Sequence, residues 1–252
     1  MSVNVQAISS QRLYAAAAST SSYPITIASW VYPTNASNEV CMQYGNSSNS
    51  STVMMQLSGS PNYHIACNQY KSGSSGWVGA WTSTSYSVNQ WNHMLAMYVG
   101  NYERYAYLNG DIAGKAYDTQ YKAVDTYNYV NLACWRQPAS SGTVNMLLTG
   151  YIAEVAIWQA QLSEAEIVSL AKGFSPLLIR PASLIFYAPL TRNNGSGGWI
   201  ELVDGRQLIE VNSPVVAEQP RIIQPAQSLI VPSSYDGNIT VLSQYYRKMR
   251  VA

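Results

Sequence analysis

Apolar and polar positions alternate through most of the first 160 residues. In PITIASWVY (24–32), Ile25, Ile27, Ser29 and Val31 fall on one side, and Thr26, Ala28, Trp30 and Tyr32 on the other. That period of two is the mark of a strand with two unlike faces, and Pro33 and Asn35 end it. The same signal predicts strands at 39–44, 53–57, 62–67, 77–81, 91–99, 103–108, 127–133 and 144–148. Residues 91–99 and 103–108 read as hairpin partners, polar loops such as GNSSNSS (45–51) separate other strands, and Asn109-Gly110 is a tight-turn dipeptide. The period changes in 150–176. Tyr151 to Trp158 reads as a strand, and Ser163 with Glu166 makes a capping box flanked by the hydrophobic staple Leu162 and Ile167. Ile167, Leu170 and Ala171 then form an apolar stripe, Gly173 supplies a left-handed cap, and Pro176 blocks resumption, predicting one short helix over 163–172. Leu184 to Tyr187 is a further strand.

Beyond Pro176 the pattern breaks up. Seven of the 11 prolines lie at or beyond that position, and from Pro214 apolar triplets alternate with prolines up to a basic end at Arg247, Lys248 and Arg250. This is too apolar for a solvated tail and too interrupted for a second core. The predicted organisation is therefore an all-β antiparallel sandwich of jelly-roll type over 1–190, with one helix, followed by an extended Pro-rich arm over 191–252. The arm's expected contacts are Ile222, Ile223, Leu229, Ile230, Tyr245, Tyr246 and Arg247.

Composition narrows the function. Charged residues make up 11% of the chain, so Ser, Asn, Thr, Gln and Tyr fill the polar positions. The 20 Tyr and 7 Trp against 2 Phe suit flat, amphipathic surfaces for sugars or proteins, although Tyr is also simply a good strand residue; both readings stand. A net charge of +1 gives no electrostatic bias toward nucleic acid or anionic membrane, and no apolar run is long enough to cross a bilayer. The first 20 residues lack the basic start and apolar core of a signal peptide. Cys41, Cys67 and Cys134 are odd in number and scattered, which predicts free thiols in a reducing compartment.

Three motifs in order carry a resemblance. SYPITIASWVYP resembles the first sandwich strand of laminin-G-like domains, and WNHMLAMYVGNYERYAYLNGDIAG their central hairpin, with Trp91, His93, Tyr107, Asn109 and Gly110 in the expected places. GYIAEVAIWQAQLSEAEIVSLAKG resembles their closing strand and helix. Over roughly residues 5–190 the chain thus resembles the laminin-G-like and pentraxin-like branch of the concanavalin A-like superfamily, which implies two antiparallel sheets face to face. KGFSPLLIRPASLIFYAPL with the PRIIQP-type tail is similar to proteins encoded by bacteriophages. The superfamily holds lectins, glycosidases and adhesion modules, so its fold leaves function open.

Catalytic chemistry finds little support. Glycosidases need two carboxylates flanking the scissile bond, and the superfamily's glucanases carry theirs at alternate positions of one strand. Here Glu154 stands alone, while Asp111, Asp118 and Asp125 fall in turns or loops. Pentraxin-like relatives bind calcium with acidic residues in the loop before the closing strand, but WRQPASSGTVN has none, and Ala153 occupies a position where laminin-G-like relatives often have Asp. No catalytic residue, cofactor or metal is therefore expected. His64 and His93 read as hydrogen-bonded strand residues, and NNGSGGW (193–199) as a loop. Sugar or partner contact without calcium would fall to exposed aromatics: Trp77, Trp81, Tyr86, Tyr121, Tyr127, Tyr129 and Trp135, with Asn128, Asn131 and Gln137 as hydrogen-bonding partners.

Together these features lead to the expectation of a non-enzymatic structural protein of a bacteriophage virion, decorating or cementing a capsid or part of a fibre, and assembled in the host cytoplasm. Its partners would be copies of itself, as a trimer, and major capsid or other virion proteins. The alternative is a calcium-independent, lectin-like module for host attachment that binds surface glycans.

Overall fold

The structure is a computed structural model that describes residues 2–5, 10–73, 76–112, 115–191 and 199–225. Two antiparallel sheets of eight strands form a sandwich. The first contains β1 (Ser2–Val5), β3 (Ile25–Pro33), β8 (Asn92–Gly100), β9 (Glu103–Leu108), β10 (Ala116–Asp118), β14 (Gly150–Trp158), β15 (Leu184–Ala188) and β18 (Val215–Ala217). They run in the order β10-β9-β8-β3-β14-β1-β18, with β15 also beside β14. The second contains β2 (Arg12–Thr20), β4 (Glu39–Gly45), β5 (Thr52–Leu57), β6 (Ile65–Tyr70), β7 (Val78–Trp81), β11 (Tyr127–Leu132), β16 (Trp199–Ile200) and β17 (Gln207–Val211). Their order is β16-β17-β2-β11-β4-β5-β6-β7. A separate hairpin, β12 (Trp135–Gln137) with β13 (Thr143–Asn145), one α-helix, α1 (Glu164–Ala171), and two 3-10 turns at Pro176–Leu178 and Pro181–Ser183 complete the described elements.

The alternation in each strand decides what is buried. Ile25, Ile27 and Val31 of β3 face Val53, Met55 and Leu57 of β5 and Ile65 and Cys67 of β6 in a core between the sheets. The opposite side of β3 is not simply solvated. Ala28, with Leu95, Met97 and Trp158, packs beneath Ile167 and Leu170 of α1 in a second cluster. Trp158 there donates its indole N–H to the Ile179 carbonyl at 2.8 Å, so its polar atom is not stranded. The predicted capping box holds α1 in place. Ser163 N–H donates to the Glu166 carboxylate at 2.7 Å, and Ser163 Oγ accepts from Glu166 N–H. Asn109 and Gly110 both take positive φ, and Asp111 N–H reaches the Leu108 carbonyl, turning the chain between β9 and β10. Gly110 is tightly placed: a Cβ there would lie 2.9 Å from that of Ala171 in the helix.

Tyr98 of β8 ties the two sheets together. Its hydroxyl crosses the core, accepts from Met54 N–H at 3.1 Å, and lies 2.9 Å from the carbonyls of Met54 and Asn68, to one of which it donates. Tyr98→Phe would leave these buried groups short of a partner. It should cost about 1–3 kcal/mol in urea unfolding, and an unchanged midpoint would show that the hydroxyl is not needed there.

The sequence places a separate arm from residue 191, but residues 199–217 add three strands to the sheets. β17 pairs with β2, burying Trp199 and Leu208, and β18 pairs with β1. Residues 218–225 then stay on their own sandwich. Ile223 N–H donates to the Gly173 carbonyl at 2.7 Å, and Ser175 N–H to the Ile223 carbonyl at 3.0 Å. Ile222 is half-buried and Ile223 is exposed. Leu229, Ile230, Tyr245, Tyr246 and Arg247 lie outside the described residues.

β14 is the pivot of this closure. It pairs with β3 along one side, while on the other its first residues pair with β1 and its last with β15. Glu154 sits where the partners change, with φ at +53° and 2% of its surface exposed. Tyr187 donates to its carboxylate at 2.6 Å, and so does Gln219 at 2.9 Å, from the segment after β18. Burial raises its pKa to about 7, although the Tyr187 hydrogen bond works the other way.

Candidate functional site

The outward faces of β5, β6 and β7 form the floor of a groove. In register, Gln56 lies opposite Ala66 and Ala66 opposite Trp81, while Met54 lies opposite Asn68 and Asn68 opposite Gly79. All of these alternate with the core residues of the same strands, so they face away from the sandwich. Asn68 Nδ2 donates to Gln56 Oε1 at 2.7 Å, which sets two amides side by side. Gly79 has to be glycine here: a Cβ would come within 2.0 Å of Asn68 Oδ1.

The β12–β13 hairpin builds one wall by folding over this face. Buried Asn131 of β11 anchors it by donating to the Ala139 carbonyl at 2.9 Å. Gln43 of β4 donates to the Arg136 carbonyl at 2.6 Å, and Gln137 to the Ser50 carbonyl at 2.9 Å. The hairpin thereby sets Trp135 edge-on to Trp77, with ring centroids 5.4 Å apart, and Trp77 in turn packs against Tyr70 at 5.1 Å. A cavity of about 380 Å³ opens between Trp77, Trp81, Trp135, Met146, Asn68 and Gln120. A second, of about 510 Å³, is lined by Asn38, Ser58, Asn62 and His64 and shares Gln56 and Trp81 with the first. Trp77 is 39% exposed and Trp81 43%, large fractions for indoles.

Of the aromatic residues expected at a binding surface, Trp77, Trp81 and Trp135 therefore come together. The other four do not. Tyr86 and Tyr127 are in the core, 3% and 0% exposed, and Tyr86 donates its hydroxyl to the Ser58 carbonyl. Tyr127 Oη instead accepts from Gln69 Nε2 at 3.2 Å, beneath the sheet. Tyr127 lies on the inner face of β11 and Tyr86 in the segment between β7 and β8 that packs on the core, where an apolar ring with a polar tip is as well served as at a surface. Tyr129 is half-buried and stacks on Tyr14 at 6.0 Å, away from the groove, and exposed Tyr121 packs against Tyr102. Asn131 and Gln137 hold the hairpin, and Asn128 Oδ1 accepts from Ser47 N–H, so these amides serve structure. The groove's own polar residues, Gln56, Asn68, Asn38, Asn62 and His64, carry no sequence signal beyond being ordinary strand and loop residues.

His64 is hydrogen-bonded, as expected, but it also lines a cavity. Its Nδ1 lies 3.2 Å from the Thr84 carbonyl, which can only accept, so Nδ1 donates there and Nε2 is the ring's other hydrogen-bonding atom. His93 is buried, its pKa lowered to about 3 by burial, and packs edge-on to Trp30. The residues present do not suit calcium: Ala153 is fully buried in β14, the segment 135–145 before that strand carries no carboxylate, and among the described residues no three His, Cys, Asp or Glu side chains group around one point. Glu154, held by Tyr187 and Gln219, is the one acidic residue of β14.

Comparison with known proteins agrees with this architecture. A native heptameric SAP-like pentraxin from Limulus polyphemus aligns with a TM-score of 0.59 and 11% identity, over 84% of this chain and 90% of its own. A putative carbohydrate binding protein from Bacteroides ovatus aligns with a TM-score of 0.54 and 12% identity, over 86% of this chain and 61% of its own. Tailspike protein 2 of bacteriophage CBA120 aligns with a TM-score of 0.49 and 13% identity, over 75% of this chain and 31% of its own, a likeness too distant to bear on function. At such identities the first two show a shared fold. A search of curated proteins returns no match. A laminin G family model, described as concanavalin A-like lectin/glucanases superfamily, matches residues 9–168, well over half of the chain. On that match and this sandwich, the chain belongs to the concanavalin A-like lectin/glucanase superfamily.

Proposed function

We propose that this protein is a non-catalytic, calcium-independent carbohydrate-binding module whose ligand lies in the groove over β5, β6 and β7. The observation that carries this reading is the meeting of Trp77, Trp81 and Trp135 with side-chain amides in one open groove. A sugar ring presents an apolar C–H face and a rim of hydroxyls. Indole faces take the first, and Asn and Gln, which both donate and accept, take the second. Among the described residues no carboxylate lines the groove, which fits binding rather than hydrolysis. Screening the purified chain on a glycan array, with and without EDTA, should give binding that chelation leaves unchanged. Trp77→Ala and Trp135→Ala should each weaken it by about tenfold, taking base–aromatic stacking as a guide. An array without hits, or binding abolished by EDTA, would sink the reading.

A second reading, the virion structural protein expected from the sequence, draws support from the C-terminal region. Val215, Val216 and Ile223 expose apolar side chains there, along with Phe174 and Leu178 nearby in sequence to the 173–175 contact. Singly exposed apolar residues are ordinary, but Phe174 and Ile223 are bridged backbone to backbone, and such a pair suits contact with copies of itself or with other particle proteins. The two readings are compatible, since a sugar-binding module can ride on a particle.

A further inference from the structure

We propose that the groove takes an uncharged oligosaccharide laid across Trp81, with sugar units on both sides of it. This rests on the carbohydrate-binding reading and specifies its ligand. The first observation is continuity. The cavities of about 380 and 510 Å³ are each in the range that holds a small ligand, and they share Gln56 and Trp81. A single sugar would leave one of them unused.

The second observation is a difference in chemistry between the two ends. The first cavity offers Trp77, Trp135 and Met146 beside Asn68, so it provides stacking faces. The second offers Asn38, Ser58, Asn62 and His64, and Trp81 is its only aromatic residue. It therefore provides hydrogen bonds more than stacking. With Nδ1–H of His64 donating to the Thr84 carbonyl, Nε2 is the ring atom left to meet a sugar hydroxyl. Trp81 belongs to both cavities and is 43% exposed, which suits it to carry the middle of a chain.

The third observation is charge. No Lys, Arg, Asp or Glu lines either cavity among the described residues. Arg136, on the hairpin wall, donates from Nε to the Gly142 carbonyl and lies over the ring of Tyr14, away from the groove. A carboxylate or sulfate in the groove would lose water without gaining a cation, whereas hydroxyls exchange water for amides at little cost. The chemistry thus favours neutral chains over sialylated or uronic-acid ones.

The test is titration calorimetry of the full chain with neutral oligosaccharides of one to six units from the series that binds on the array, against sialylated and uronic-acid chains of matched length. Affinity should rise about tenfold or more between one unit and four, and acidic chains should bind more weakly than neutral ones. Trp81→Ala, at an exposed position, should keep its melting temperature and lose binding at every length. His64→Ala together with Asn62→Ala should weaken long chains while sparing short ones, which flattens the length dependence. Equal affinity for one unit and six, or a preference for acidic chains, would overturn this proposal and leave carbohydrate binding intact. Failure of every glycan to bind would remove both.

Discussion

Unfolding free energy should peak near pH 5 and fall toward pH 8. Three buried groups set the profile. Glu39 and Glu154 are each 2% exposed, and burial raises both pKa values from 4.5 to about 7. Burial outweighs what opposes it: Glu154 accepts from Tyr187 and Gln219, and Oε2 of Glu39 has no hydrogen-bond partner among the described residues. A carboxyl whose folded pKa is raised stabilises fully below the unfolded value. As pH rises from 4.5 to 7 the unfolded chain ionises while the folded one keeps its proton, so each Glu should withdraw up to about 3 kcal/mol over that window. His93 acts in the opposite direction. Its pKa falls from 6.5 to about 3, so its contribution is complete above 6.5 and is lost as pH drops through that range. Between 4.5 and 6.5 two carboxyls outweigh one imidazole, and stability should still climb as pH falls, turning over only near the lower value. Glu166, whose pKa is lowered against partial burial by Arg180 and Ser163, pulls the other way, but this ion pair is partly exposed and adds little. Urea unfolding at pH 3.5, 5, 6.5 and 8 measures the profile. Glu154→Gln and Glu39→Gln should each remove most of the alkaline fall, because His93 largely offsets the one carboxyl that remains between pH 4.5 and 6.5, and His93→Gln should flatten the acid limb. A profile that is level or rising from pH 5 to 8 would mean that these carboxyls ionise freely in the folded chain.

What could be read in advance depended on how local the signal was. The capping box at Ser163 and Glu166 and the Asn109-Gly110 turn are set by neighbours within a few residues, and the structure has both. The alternation in β3 located the core side of that strand, but it could not show that Ala28 on the other side would be covered by α1. β2 escaped notice because its centre, Ala15 to Ala18, lacks the β-branched and aromatic residues that mark strands, and tertiary pairing with β11 and β17 holds it. The groove was half legible. Trp77, Trp81 and Trp135 stood out as indoles, but inward-facing Tyr127 looked the same, since residue type does not report strand parity without the register, and so did Tyr86, in a loop that folds back onto the core. The amides Gln56 and Asn68 gained meaning only when β5 and β6 paired and the β12–β13 hairpin folded over them. In the C-terminal region, prolines concealed edge strands. Pro214 stands just before β18 and Pro220 three residues after it, positions that cost the ladder nothing.

Ending the chain after residue 198 should abolish cooperative folding, whereas ending it after 225 should leave the thermal transition in place. The first truncation removes β16, β17 and β18. It takes away Trp199 and Leu208, which are 2% and 1% exposed, and uncovers the β2 edge to which β17 is hydrogen-bonded. Burying one Trp and one Leu contributes roughly 5 kcal/mol, which is comparable to the whole stability of many domains. Loss of β18 also bares β1, and loss of Gln219 takes one of the two donors from buried Glu154, whose remaining hydrogen bond comes from Tyr187. The second truncation keeps all of these, along with the hydrogen bonds from Ile223 to Gly173 and from Ser175 to Ile223. Circular dichroism melts of the two shortened chains should therefore differ sharply. If residues 1–198 melt at the temperature of the full chain, the sandwich is complete without β16 to β18, and the domain does end near residue 190. The 1–225 chain also separates the two functional readings. Its groove is intact, so glycan affinity should match that of the full chain, while a virion role carried by residues 226–252 predicts that it folds normally but fails to assemble into particles.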